Sequence, residues 1–163
     1  MRTYLFLSAI CILAMSYTNK SDNNPVKENE TIAREFIDAW DSHDIDKLCS
    51  LFADEFVYLE VASGRNYSIK SNLYSYANLT IVGIPDTKFE IVSVMANEKF
   101  AAVEWIWKGT NTVGWDFMEI PATGKYFELP GVSVMEIENQ KIKRNSDYWD
   151  WNTFMRLIGA IEQ

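Results

Sequence analysis

The chain carries one histidine, His43, and two cysteines, Cys11 and Cys49. So few imidazoles and thiols exclude zinc sites of the Cys/His kind and leave a scattered Ser-His-Asp or Cys-His catalytic set almost nothing to work with. No metal and no cofactor is expected. Cations are scarce as well, 15 Lys and Arg against 23 Asp and Glu, for a formal charge of -8. No Lys/Arg cluster reverses that field locally, so phosphate backbones and anionic lipid surfaces are repelled and nucleic acid is not expected as a partner. What the chain does have is 48% hydrophobic and 14% aromatic residues over 163 positions, which suits one folded domain with a real core.

The first residues, "MRTYLFLSAICILAMSYT", set Arg2 ahead of an apolar run from Tyr4 to Met15 that closes on small residues. That is the pattern of an export signal with an Ala-Met-Ser cleavage site at 14–16, read against an uncleaved anchor or a soluble helix. The run is shorter than the roughly 20 residues of a membrane span. Cleavage near Thr18 removes Arg2 and leaves 14 basic against 23 acidic groups, or -9. It also removes Cys11, so Cys49 has no intramolecular disulfide partner and packing must supply the stability. The expected organisation is a signal peptide over 1–18, a flexible polar lead over 19–27, "NKSDNNPVK", and one domain over 28–163. The mature protein is expected in the periplasm or outside the cell.

In "ETIAREFIDAWDSHD" the apolar residues Ile32, Ala33, Phe36, Ile37 and Trp40 fall on one helix face. Asp44 can cap a second helix through Ile45, Leu48, Leu51 and Phe52, with His43 in the connecting turn. From Phe56 the pattern alternates, Phe56, Tyr58 and Glu60 against Val57, Leu59 and Val61, which predicts a strand that Gly64 turns back. Residues 69–79 return to helical spacing and break at "GIPD". The second half is strand-rich: "KFEIVSVM" and "FAAVEWIWKGT" form one hairpin, "YFELPGVSVMEIE" and "KIKRNSDYW" another, "TVGWDFMEI" supplies a strand between them, and a last helix spans 152–161. Helices first and a meander after predict an α+β fold, with a curved sheet packed on the helices and a pocket between the layers.

Carboxylates inside strands are the informative feature, because an isolated buried charge is very costly and must be paired, protonated or wet. Three stand out: Glu60, Glu104 and Asp147. Glu104 shares a face with Ala102 and Ile106, and that face is either the wet cavity or plain solvent. In "SDYWDW", alternation puts Asn145, Asp147 and Trp149 on one face and Ser146, Tyr148 and Asp150 on the other. Asp150 stands where it can cap the last helix, with Asn152 as the competing cap. Asp147 beside Trp149 is the candidate for proton transfer, since desolvation by aromatics raises a carboxyl's pKa; its structural alternative is an ion pair with Arg144 or Lys143.

The segments "FIDAWDSHDIDKLCSLFADEFVY", "AAVEWIWKGTNTVG" and "PATGKYFELPGVSVMEIENQKIKRNSDYWD", with the closing "LIGA", resemble the SnoaL-like polyketide cyclases of the NTF2-like superfamily over nearly the whole mature chain. The resemblance implies a cone of helices and strongly bent antiparallel or mixed sheet around an apolar pocket, often in a homodimer. It implies cofactor-free acid–base chemistry by an aspartate on a late strand, here Asp147, with Glu60 or Glu104 orienting it. Trp40, Tyr58, Trp105 and Trp149 are then the ligand-binding residues, and a small apolar or carbonyl-containing molecule the ligand. Related ketosteroid isomerases place their base where this chain has Glu60 and a tyrosine donor where it has Phe36, so the isomerase oxyanion site is incomplete. Either a cyclase-, isomerase- or hydrolase-type enzyme or a noncatalytic ligand-binding or dimerisation module fits this fold.

Overall fold

The computed structural model describes residues 24–162, so the expected signal peptide and most of the lead lie outside the described residues. Helix α1 spans Pro25–Asp41 and begins inside the stretch expected to be flexible. Asn24 accepts hydrogen bonds from the Val26 and Lys27 amides, and Pro25 takes the first helical position, where its missing N–H costs nothing. The face carrying Ile32, Ala33, Phe36, Ile37 and Trp40 is buried, as the spacing requires. His43 turns the chain at φ 60°, with Nε2 at 3.0 Å from the Thr87 carbonyl oxygen. Helix α2, Ile45–Ser50, is capped by Asp44, which accepts the Lys47 N–H at 2.8 Å. It stops before Leu51 and Phe52, because Phe52 already pairs with Ile142 in the sheet.

The remaining elements are strands β1 (Phe52–Glu60) and β2 (Arg65–Tyr67), helix α3 (Lys70–Gly83), strands β3 (Lys88–Ala96), β4 (Phe100–Thr110), β5 (Gly114–Trp115), β6 (Ile120–Pro121), β7 (Tyr126–Glu138) and β8 (Lys141–Trp149), and helix α4 (Trp151–Leu157). Six strands form one sheet in the order β2-β1-β8-β7-β4-β3. The β1–β8 pair is parallel and the other pairs are antiparallel, so the sheet is mixed.

The strand expected over 112–120 does not form. β4 pairs with β7 without a break from Phe100↔Glu136 to Thr110↔Tyr126, which leaves no slot between them. The intervening residues make a two-strand flap, Gly114↔Pro121 and Trp115↔Ile120, around a 3-10 turn at Asp116–Met118. Trp115 points inward from this flap and stacks with Trp107 and Phe154, at centroid distances of 5.9 and 5.3 Å. Aromatic burial, worth more than ladder hydrogen bonds at an unpaired edge, holds it there.

β8 carries a bulge. Ile137 faces Ile142 while Glu136 faces Arg144, so one extra residue sits in β8 and reverses its in-out parity. Ile142 and Asn145 are therefore both buried, and Asn145, Asp147 and Trp149 are turned to the inner face. The core fills the space between that face and helices α1 and α3. Gly131 is required where the Trp105 ring crosses β7, because a Cβ there would overlap the indole.

Candidate active site

Three polar side chains lie side by side across adjacent strands of the inner face. The register pairs Glu60 of β1 with Asp147 of β8, and Asp147 with Ser133 of β7. All three are buried, at 2%, 6% and 0% exposure.

Asp147 is held from three directions. Tyr58 donates its phenol O–H to Oδ2 in a short hydrogen bond. Asn145 donates to Oδ1 at 2.7 Å, and the Ser133 hydroxyl supplies a third bond while accepting the Trp105 indole N–H at 2.9 Å. Burial pushes the Asp147 carboxyl above its ordinary value, and these donors pull back part of that rise. The Tyr58 phenol is pushed well above its usual range, first by burial and then by the Asp147 charge, so it stays a neutral donor. A carboxyl in this balance can change charge without leaving its place, which is what proton transfer needs.

Glu60 is the second buried carboxyl. Its Oε2 accepts the Ser63 amide at 3.0 Å and the Ser63 hydroxyl, while Oε1 has no partner. Burial raises its pKa to about 7, the Asp147 charge adds to the rise, and the Ser63 and Ala62 amides and Arg65 oppose it.

Asp147 opens on a cavity of about 30 Å³ whose walls include Trp40, Tyr58, Trp105 and Trp149. Eight of its twelve lining residues are aromatic and none is Lys or Arg, so Asp147 is the charged group a guest would meet. The volume holds little more than water, below the roughly 300 Å³ of a typical ligand pocket. A larger guest needs the rings to turn aside.

Of the residues singled out by sequence, Asp147, Tyr58, Trp40, Trp105 and Trp149 meet at this cavity, and Glu60 lies behind it beside Asp147. Glu104 does not. It is exposed on the outer face and accepts the Ser93 hydroxyl at 2.5 Å, because Val103, Trp105 and Trp107 take the buried parity of β4. Arg144 is exposed and the Asp147 carboxylate is held by neutral donors rather than by an ion pair. Asp150 caps α4, accepting the Thr153 amide at 3.0 Å. Sequence reasoning missed Ser133 and Tyr76 as members of the site. Ser133 had a signal: it falls in phase with the inward Leu129 and Met135 of β7.

The carboxylate row, the aromatic walls and the helix–sheet layout coincide with a family match. The sequence profile of the SnoaL-like polyketide cyclases covers residues 30–158. This chain belongs to that family. Among solved structures, a protein from Jannaschia sp. CCS1 assigned to the SnoaL-like polyketide cyclases superposes with a TM-score of 0.76 at 14% identity, covering 85% of this chain and 96% of that one. TsrD from Streptomyces laurentii gives 0.71 at 16% identity, with 83% and 97% covered. A protein with a ketosteroid isomerase-like fold from Catenulispora acidiphila, solved in complex with trimethylamine, gives 0.68 at 17% identity, with 78% and 92% covered. At these identities the likeness establishes the fold. No curated protein matches the chain.

Proposed function

We propose that this SnoaL-like protein is a cofactor-independent acid–base enzyme acting on a small, largely apolar carbonyl compound. The observation that carries this is Asp147, buried at the end of an aromatic cavity and bonded to Tyr58, Asn145 and Ser133. In the step it supports, the Asp147 carboxylate takes a proton from the carbon beside the substrate carbonyl. The C–H electron pair moves into the carbonyl, and the enolate oxygen accepts a hydrogen bond from the Tyr58 phenol in place of Asp147. Return of the proton from Asp147 to another carbon of a conjugated enolate gives isomerisation; attack of the enolate carbon on a second carbonyl moves that C=O electron pair onto its oxygen, which takes the proton from Asp147, and gives aldol closure.

Deuterium exchange tests the step without the natural substrate. Wild-type protein in D2O should accelerate incorporation of deuterium into the methyl group of 4-hydroxyacetophenone, followed by NMR. Asp147→Asn should lower that rate by about 100-fold or more, the usual weight of a positioned acid or base. An Asn variant as fast as wild type refutes the proposal.

A second reading is noncatalytic capture of a small organic ammonium ion. Aromatic faces around one carboxylate with no lining cation suit that charge, and the Catenulispora neighbour was solved with trimethylamine. Quenching of tryptophan fluorescence by trimethylammonium, with no exchange activity, would favour it. Export and homodimerisation belong to the same proposal. The outer sheet face leaves Val57, Met95, Val134 and Tyr148 exposed, an apolar surface a second copy could cover. Terminal sequencing of the protein recovered from outside the cytoplasm and sedimentation in solution test the two.

A further inference from the structure

A second concavity lies behind the inner wall of the site. It runs between the edge strand β2 and helix α3, has a volume of about 320 Å³, and is lined by Tyr67 and Tyr76 with Asn66, Asn72 and Ser75 on its rim. Tyr76 also lines the inner cavity, so one ring separates the two spaces. Tyr67 stacks on Tyr76 with centroids 4.8 Å apart and planes at 22°, and both rings contact Tyr58, the residue bonded to Asp147. Groove, stacked pair, Tyr58 and Asp147 therefore form one contiguous series.

We infer that this groove is the outer half of the binding site, and that it takes a hydroxyl-rich portion of the ligand whose carbonyl-bearing head lies in the inner cavity. The inference rests on the acid–base reading of that cavity. Two observations support it. The inner space, about 30 Å³, is too small for a substrate by itself, and the groove supplies the missing volume across a single shared ring. The chemistry of the two spaces also differs. The inner walls are aromatic, whereas the rim offers two carboxamides, which donate to and accept from alcohols, and the Ser75 hydroxyl, which donates to the Ser71 carbonyl at 2.9 Å and can accept from one. Arg65 also lines the groove, where its charge acts on Glu60, and it adds a donor for a ligand oxygen.

The wall is placed to move. β2 has three residues and pairs on one side alone, and the α3 start at Ile69 has no side-chain cap. Short edge elements of this kind open at low cost. Rotation of the Tyr76 ring would join the two spaces while Tyr67 remains against the ligand.

The test compares 4-hydroxyacetophenone with its 4-O-glucoside, which keeps the carbonyl head and adds a hydroxyl-rich tail. Binding is read from quenching of the cavity tryptophans. The glucoside should bind wild-type protein about tenfold more tightly, the effect of two added hydrogen bonds. In the Asn66→Ala/Asn72→Ala variant that advantage should vanish while the affinity for 4-hydroxyacetophenone is unchanged. Both positions are exposed, and circular dichroism is the check that the variant keeps its fold. A glucoside that binds no better than the aglycone, or keeps its advantage in the double variant, overturns the inference, as does failure of both ligands to bind. A groove-dependent glucoside advantage with deuterium exchange indifferent to Asp147→Asn would instead overturn the acid–base reading and leave the groove as a binding site.

Discussion

Replacing Glu60 with glutamine should remove a pH dependence that the wild-type fold carries. Glu60 is 2% exposed, and one of its oxygens has no partner. Its carboxyl titrates at about 7 in the fold against an ordinary value of 4.5. The folded state therefore holds the proton more tightly than the unfolded chain, and the contribution to stability is fully present below pH 4.5 and lost as pH rises through about 7. At about 1.4 kcal/mol per pKa unit, the loss amounts to roughly 3 kcal/mol by pH 8. Glutamine mimics the protonated carboxyl and keeps an acceptor for Ser63, but it has no proton to release. Relative to wild type, the variant should gain about 2–3 kcal/mol at pH 8 over its difference at pH 4.5. Urea denaturation reads this directly: with a slope of about 1.5 kcal/mol per molar for a domain of this size, the midpoint difference between the two proteins should change by about 1.3–2 M across that range. Asp147 remains titratable in both proteins, so its own burial and donors cancel in the comparison and only the part of its titration that depends on the Glu60 charge differs between them. Parallel stability–pH curves for the two proteins would refute the argument, because they would mean that Glu60 keeps its charge inside the fold.

Tyr58→Phe removes the donor at Asp147 Oδ2, so the carboxylate loses stabilisation and its pKa should rise further. We expect a loss of about 1–3 kcal/mol at neutral pH by urea denaturation, with the acid limb of the exchange–pH profile moved upward; an unmoved limb would show that the bond does not set the Asp147 charge. Gly131→Ala places a Cβ inside the Trp105 ring and drives its indole N–H off Ser133. A destabilisation of about 1–3 kcal/mol with altered tryptophan fluorescence is expected, and unchanged stability would mean that the ring is not fixed there.

The fold was legible because its signals are local and periodic. Both long hairpins follow from alternation, and their ends coincide with the turns, including Asn139 and Gln140, which sit at φ 51° and 60° as a two-residue hairpin turn requires. Asp150 and Asp44 were legible as caps from position alone. The flap at 114–121 was not, because alternation in "TVGWDFMEI" says nothing about whether a neighbouring strand is free to pair. β2 was too short to carry a pattern. Within the site, β8 alternation brought Asp147 inward, but the pairing that sets Glu60 and Ser133 on either side of it joins residues 87 and 14 positions apart in register and has no local signature. Glu104 failed for the opposite reason: its two faces were equally apolar in sequence, and the larger tryptophans took the core.

The parallel β1–β8 contact is the step by which this fold gathers two buried carboxyls and a phenol in a chain low in His and Cys. An antiparallel meander alone would give Asp147 one neighbour strand rich in hydroxyl and apolar groups. Insertion of β8 between β7 and β1 gives it Ser133 on one side and the Tyr58–Glu60 strand on the other. The same strand then delivers a phenol to Asp147 and a second carboxyl beside it, two residues apart on one face. A donor and a competing charge on a single rigid strand act in opposition: the phenol favours the ionised aspartate and the neighbouring carboxylate disfavours it. Ionisation of Glu60 near neutral pH would thus raise the proton affinity of Asp147, and the state of one carboxyl biases the other through the sheet, without a metal, an imidazole or a thiol.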